Sequence, residues 1–167
     1  ANAASMETDA SDWSSTTGFG AYTPCTVSHS AVRAWDGTKS LLITWPTAAG
    51  GSIAVTTVRG LVVGRTYTFS QYVYVPAGSP DVRMTIALIA NGSTTAVKDA
   101  WTRISITWTA TQSTIQVGPR TTGSTAGQQC WADGFQADEG SSVVTVTTTA
   151  APIAYRFDGY VDEWPVE

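Results

Sequence analysis

The sequence predicts an all-β fold, an antiparallel β-sandwich, and three observations carry that prediction. Charged residues make up only 13% of the chain, while Thr, Ser, Gly and Val are plentiful, as in short strands joined by polar turns. Apolar and polar residues alternate with period two over short stretches, the signature of strands with one buried face. Those stretches are bounded by Gly, Pro, Asn and Ser, which punctuate strands as turns. A chain of 167 residues is long enough for one well-buried core and short of what two would need.

Taken in chain order, about eight strands are expected. The segments 41–45 and 52–58 precede the clearest strand, 67–75, where Tyr67, Phe69, Gln71, Val73 and Val75 share an inward face. Thr68, Ser70, Tyr72 and Tyr74 fall on the opposite face of that strand. Segment 82–89 sets Met84, Ile86 and Leu88 against Arg83, Thr85 and Ala87, and segment 101–109 sets Ile104, Ile106 and Trp108 against Arg103, Ser105 and Thr107. Shorter strands follow at 114–117 and 130–137. Turns are expected at Asp36-Gly37, Gly50-Gly51, Gly78-Ser79-Pro80 and Asn91-Gly92, the last being the sharpest hairpin signal. After Gly140 the texture changes to a Ser, Thr and Val stretch, so the module is read as 1–146 and the aromatic, acidic remainder, 147–167, as a linker or docking extension.

Composition also bounds function. A formal net charge of −4 without any Lys or Arg cluster offers no footprint for a phosphate backbone, so no nucleic-acid partner is expected. No apolar run approaches the roughly 20 residues that cross a bilayer, so no membrane insertion is expected. The first residues lack the parts of a signal peptide, and the missing initiator Met suggests a fragment or processed chain. Catalysis usually needs a proton carrier poised near neutral pH, and the single histidine, His29, lies in a Ser- and Thr-rich stretch without an evident partner. No Gly-x-Ser-x-Gly elbow, phosphate loop, dinucleotide fingerprint or zinc-ligand pattern occurs. The carboxylates Glu7, Asp9, Asp12, Asp133, Asp138 and Glu139 lie near the ends of the core, where solvated turns account for them. A non-catalytic module is the expectation.

Cys25 and Cys130 allow one disulfide, and two free buried thiols are the alternative. A bridge would close a loop of roughly 100 residues and add about 4 kcal/mol on the chain-entropy account.

Four motifs in a fixed order then carry a family likeness. They are the segment 2–9 with Trp13; Asp36-Gly37-Thr38-Lys39-Ser40-Leu41; the segment 61–70, which opens Leu61-Val62-Val63-Gly64-Arg65; and Trp131-Ala132-Asp133-Gly134-Phe135-Gln136. Their order resembles the jelly-roll carbohydrate-binding modules, especially those in minor tail proteins of actinobacterial phages and prophages, over about five-sixths of the chain. The closing Tyr155-Arg156-Phe157-Asp158-Gly159-Tyr160 is similar to the aromatic segment that follows such modules. Met6 departs from the pattern, since an aromatic residue commonly precedes the glutamate. The resemblance implies a jelly roll, a virion-tail or extracellular setting, and a structural calcium held by the carboxylates of Glu7 and Asp133 with backbone oxygens near Ser5 and Lys39. The alternative is that Glu7 and Asp133 only cap turns.

A sugar has an apolar C–H face and a rim of hydroxyls, so it needs flat aromatics beside polar forks. Tyr72 and Tyr74, roughly 7 Å apart on one strand face, are the candidate stacking platform. Arg83 and Arg103 are the candidate fork if their strands share the sheet. Trp13, Trp35 and Trp131 lie near turns and could line a site at the loop end, whereas Trp45, Trp101 and Trp108 are assigned to the core or strand ends. The sequence therefore predicts recognition of a bacterial surface or cell-wall polysaccharide. Two rivals are a structural tail module, whose tyrosines would pack against other assembly subunits, and an accessory module of a secreted glycoside hydrolase.

Overall fold

The structure, a computed structural model, describes residues 14–15, 25–45, 52–123 and 126–143. Ten strands and no helix occur among them: β1 (Ser14–Ser15), β2 (Thr26–Ser30), β3 (Ser40–Thr44), β4 (Ala54–Val58), β5 (Thr66–Tyr74), β6 (Val82–Ile86), β7 (Ala90–Thr95), β8 (Trp101–Thr109), β9 (Ile115–Thr121) and β10 (Gln129–Glu139). They form two five-stranded antiparallel sheets, ordered β1-β4-β9-β6-β7 and β2-β3-β10-β5-β8. The expected β-sandwich is thus the architecture found.

Alternation explains how the sheets close on one core. On β5 the side chains of Tyr67, Phe69, Gln71 and Val73 are all buried, as are Ile104 and Ile106 of β8, and the other sheet answers with Val82, Met84, Ile86 and Val117. Each fully buried aliphatic or aromatic side chain contributes about 1.5–3 kcal/mol of burial. Gln71 is the exception: it has no solvent exposure, and neither its amide nitrogen nor its amide oxygen has a hydrogen-bond partner. An unpaired buried polar group costs about 1–3 kcal/mol. Gln71→Met, close in volume and free of that penalty, is therefore expected to raise the midpoint of a urea melt; a lowered midpoint would mean that the amide finds a partner in the core.

The sandwich is laced at one edge. Ser93 of β7 donates its hydroxyl to the Ser105 carbonyl at 3.1 Å and accepts the Ser105 N–H at 2.8 Å, tying the edge strand of one sheet to that of the other. Gly92 lies at this junction. A Cβ there would fall 2.6 Å from the Ile106 Cβ and overlap the Ser105 carbonyl oxygen.

Three expectations are corrected. Asn91-Gly92 is not a turn but part of β7, and the chain instead reverses through residues 87–89, with Leu88 at φ +60°; Gly92 is needed for the close approach of β8. The ninth strand does not stop at Val117 but runs on to Thr121 through Pro119. Its ladder to β4 stops at Val117 and returns only at the Ile53–Arg120 bridge, so Pro119 sits where that ladder is interrupted. Third, Cys25 and Cys130 are free buried thiols, with no bridge between them. Cys25 precedes β2, Cys130 lies at the start of β10, and β3 runs between those strands. Burial pushes the Cys25 thiol up to about 12, and burial together with the charge of Cys25 pushes Cys130 higher still, so neither is a ready nucleophile.

Candidate functional site

The outer face of the sheet β2-β3-β10-β5-β8 gathers most of the side chains with recognition chemistry. Tyr72 of β5 pairs with Arg103 of β8 and with Asp133 of β10, and Tyr74 pairs with Trp101 and Trp131. One residue decides which side chains of β10 join them. Gly134, at φ +57°, forms a bulge between Asp133 and Gln136. A bulge adds one residue and so reverses the parity of the strand beyond it. Trp131 and Asp133 face outward before the bulge, Gln136 and Asp138 face outward after it, and Phe135 packs into the core.

The result is a polar row across three strands. Arg103 donates from Nη2 to Ser70 Oγ at 2.9 Å and also to Gln136 Oε1. Gln136 Nε2 in turn donates to both Asp138 oxygens, at 2.8 and 3.0 Å. Each member is held by its neighbour, so the row presents fixed donors and acceptors at little further ordering cost.

Beside this row stands an aromatic cluster. Trp35, from the loop between β2 and β3, lies flat on Tyr72, with ring centroids 3.9 Å apart and planes 13° from parallel. Trp101 meets Trp35 and Tyr74 edge-on at 6.4 and 5.8 Å, and Trp131 meets Tyr74 edge-on at 6.1 Å. Arg33 places its guanidinium carbon 4.0 Å from the Tyr74 ring centroid and 5.1 Å from that of Trp131. Trp35 keeps 47% of its surface exposed, so it is the ring that offers a free face.

Asp133 fixes the loop that carries Trp35. Its Oδ2 accepts the N–H groups of Trp35 at 2.8 Å and Asp36 at 3.2 Å, and its Oδ1 accepts that of Gly134 at 2.8 Å. Burial raises its carboxyl above the usual range and outweighs the three backbone donors that act the other way. Ser40 adds a second tie, its hydroxyl donating to the Arg33 carbonyl at 2.6 Å. Flat aromatics on a braced loop beside a fixed polar row suit a ligand with apolar faces and hydroxyl rims.

The sequence profile of the family described as "Carbohydrate binding domain" matches residues 5–126. The chain belongs to that family. Solved structures share the fold of this carbohydrate binding domain. The CBM22-1 xylan-binding domain from Paenibacillus barcinonensis Xyn10C superposes with a TM-score of 0.57 at 19% identity, covering 80% of this chain and 89% of that one. The C-terminal family 22 carbohydrate binding module of Clostridium thermocellum Xyn10B gives 0.59 at 16%, covering 84% and 94%. The bacteriophage CBA120 tailspike protein 4 enzymatically active domain gives 0.58 at 12%, covering 83% of this chain and 21% of that one. No curated protein sequence matches the domain.

Within this carbohydrate binding domain the expected site residues divide. Tyr72, Tyr74, Arg103 and Trp35 come together on one face. Arg83 does not: β6 belongs to the other sheet, so it cannot join the fork. The two tyrosines are not open platforms either, because Trp35 covers Tyr72 and Arg33 covers Tyr74. Trp101 and Trp131, together with Arg33, Ser70, Gln136 and Asp138, complete the face; for Gln136 and Asp138 the usable signal was the glycine inside the β10 segment.

Of the calcium set that the resemblance implied, Ser5 and Glu7 lie outside the described residues, as does Trp13. Asp133 has the geometry of a turn cap, both its oxygens accepting from backbone N–H donors. No group of three or more His, Cys, Asp or Glu side chains able to hold a metal occurs among the described residues. His29 lies on β2, and its Nε2 is shielded and without a hydrogen-bond partner among the described residues.

Proposed function

We propose that this carbohydrate binding domain is a non-catalytic module that holds a polysaccharide on the outer face of the β2-β3-β10-β5-β8 sheet. The observation that carries the proposal is Trp35: nearly half exposed, backed by Tyr72 at 3.9 Å, and next to the Arg103–Gln136–Asp138 row. A sugar ring stacks on the free face of Trp35 through its C–H groups, and its hydroxyls exchange hydrogen bonds with the row. Tyr72 stiffens the platform from beneath. The rival reading, in which the tyrosines meet a neighbouring subunit, loses its motive because residues of the same chain already cover those rings.

Two relatives in fold are named for xylan or carbohydrate binding, which supports xylan as the first probe. We further propose an extracellular setting in a phage tail or a related assembly, with a bacterial surface or cell-wall glycan as target. The Tyr155–Tyr160 motif and the tailspike domain of similar fold support that setting. The test is affinity electrophoresis of the purified domain through xylan and a panel of bacterial cell-wall polysaccharides. Wild type is expected to be retarded by at least one polymer. Arg103→Ala, which removes the centre of the polar row, is expected to weaken that retardation about tenfold, within the range for a charge-assisted hydrogen bond. Free migration of wild type through every gel would sink the proposal.

A further inference from the structure

We infer that the polysaccharide bound on this face carries carboxylate groups, that is, uronic-acid residues, and that Arg33 and Arg103 read them. The inference rests on the glycan-binding reading above and deepens it. Arg33 is half-buried against Tyr74 and Trp131, and its Nε is shielded from solvent without a hydrogen-bond partner. Arg103 bonds the neutral acceptors Ser70 and Gln136. The ion pairs among the described residues are Arg65–Glu139 and Lys98–Asp81, both elsewhere in the fold. Among the described residues, therefore, two guanidinium groups flank the Trp35–Tyr72 stack without a carboxylate in salt-bridge contact with either.

Such an arrangement suits an anionic sugar better than a neutral one. The aromatic faces stabilise a partly desolvated guanidinium, yet they supply no acceptor for its N–H groups. A planar carboxylate accepts two parallel N–H bonds from one guanidinium, and a uronic acid presents that carboxylate on the rim of a ring whose C–H face can lie on Trp35. A hydroxyl offers the same fork a single acceptor. The carboxylates of this face are Asp99, whose Oδ1 lies 3.5 Å from the Tyr74 hydroxyl, Asp138 beside Gln136, Asp36 next to Trp35, and Asp133, which is buried and turned to the backbone N–H groups of Trp35, Asp36 and Gly134. The chain as a whole is negative, at −4, so general attraction to polyanions is not available and selectivity must come from these two side chains.

The test compares binding of the intact domain to glucuronoxylan, polygalacturonate and alginate with binding to carboxyl-reduced forms of the same polymers, measured by calorimetry at low and high salt. The expected result is a preference for at least one native polymer on the order of tenfold, the margin of a charge-assisted over a neutral hydrogen bond. The preference should shrink at high salt. Arg33→Gln should lower affinity for the native polymer more than for the reduced one and so lose the preference, its fold being checked independently by circular dichroism and a thermal melt. If that variant does not fold, the salt dependence of wild type on the native and reduced polymers decides the same question. Equal affinity for native and reduced polymers, or binding only to neutral ones, would overturn the carboxylate inference and leave the glycan-binding reading standing. Binding to none of these and to none of the cell-wall panel would overturn both.

Discussion

Trp35→Ala is expected to weaken binding to whichever polysaccharide retards the wild type by roughly thirtyfold or more, the loss seen when a central aromatic anchor is truncated. The size follows from position. Trp35 presents the free aromatic face of the cluster, and its loop is already pinned by Asp133 and Ser40, so little ordering remains to offset the gain from stacking. Stability should change far less. The side chain is 47% exposed, and the lost stack on Tyr72 accounts for about 0.5–1.5 kcal/mol. Calorimetric titration beside a thermal melt separates the two effects, and Trp35→Phe should recover part of the affinity. Undiminished affinity of a folded Trp35→Ala domain would move the binding surface away from this face.

The largest expected loss of stability comes from a methyl group. Gly92→Ala places a Cβ against the Ser105 carbonyl oxygen and 2.6 Å from the Ile106 Cβ, with the Ile106 Cα at 2.9 Å. None of these atoms ends a flexible side chain, so β7 and β8 must part, and the two Ser93–Ser105 bonds lengthen with them. Overpacking of this kind costs about 3 kcal/mol, equivalent to a fall in Tm of roughly 10 °C for a domain of this size. A Gly92→Ala domain that melts within a degree or two of wild type would mean that the sheets do not meet here as described.

The parts of the fold legible in the sequence are those with one face in the core. The alternation of β5 and β8 exposed both their existence and the burial of Phe69, Val73, Ile104 and Ile106, because a core-facing strand leaves a period-two record. Asn91-Gly92 misled for a physical reason: Asn-Gly marks a two-residue hairpin, but glycine is also demanded where two strands nearly touch. The true reversal, with Leu88 in the left-handed region, left no signal, since leucine rarely adopts that conformation. The site was half legible. Tyr72, Tyr74, Trp35 and Arg103 stood out as residues, but their meeting depends on the strand order β10-β5-β8, which no local pattern encodes. The same order removed Arg83. That Trp35 and Arg33 would cover the tyrosines is a property of a loop packed on a sheet, and periodicity does not reach it.

The bulge at Gly134 has a consequence for how such a domain diversifies. It divides β10 into two cassettes with opposite parity, one carrying the aromatic corner through Trp131 and the other the polar row through Gln136 and Asp138. A Cβ at Gly134 would touch Tyr72 at 3.3 Å and Trp35 at 3.7 Å, so the glycine is constrained, as are the buried outward positions Trp131 and Asp133 before it, while Gln136 and Asp138 beyond it are only partly buried. Substitutions in the polar cassette can retune which hydroxyls or acids are recognised without disturbing the stacking corner. Specificity on this scaffold can therefore evolve in one half of the strand, with the inward residues Phe135 and Ala132 keeping the core unchanged beneath both.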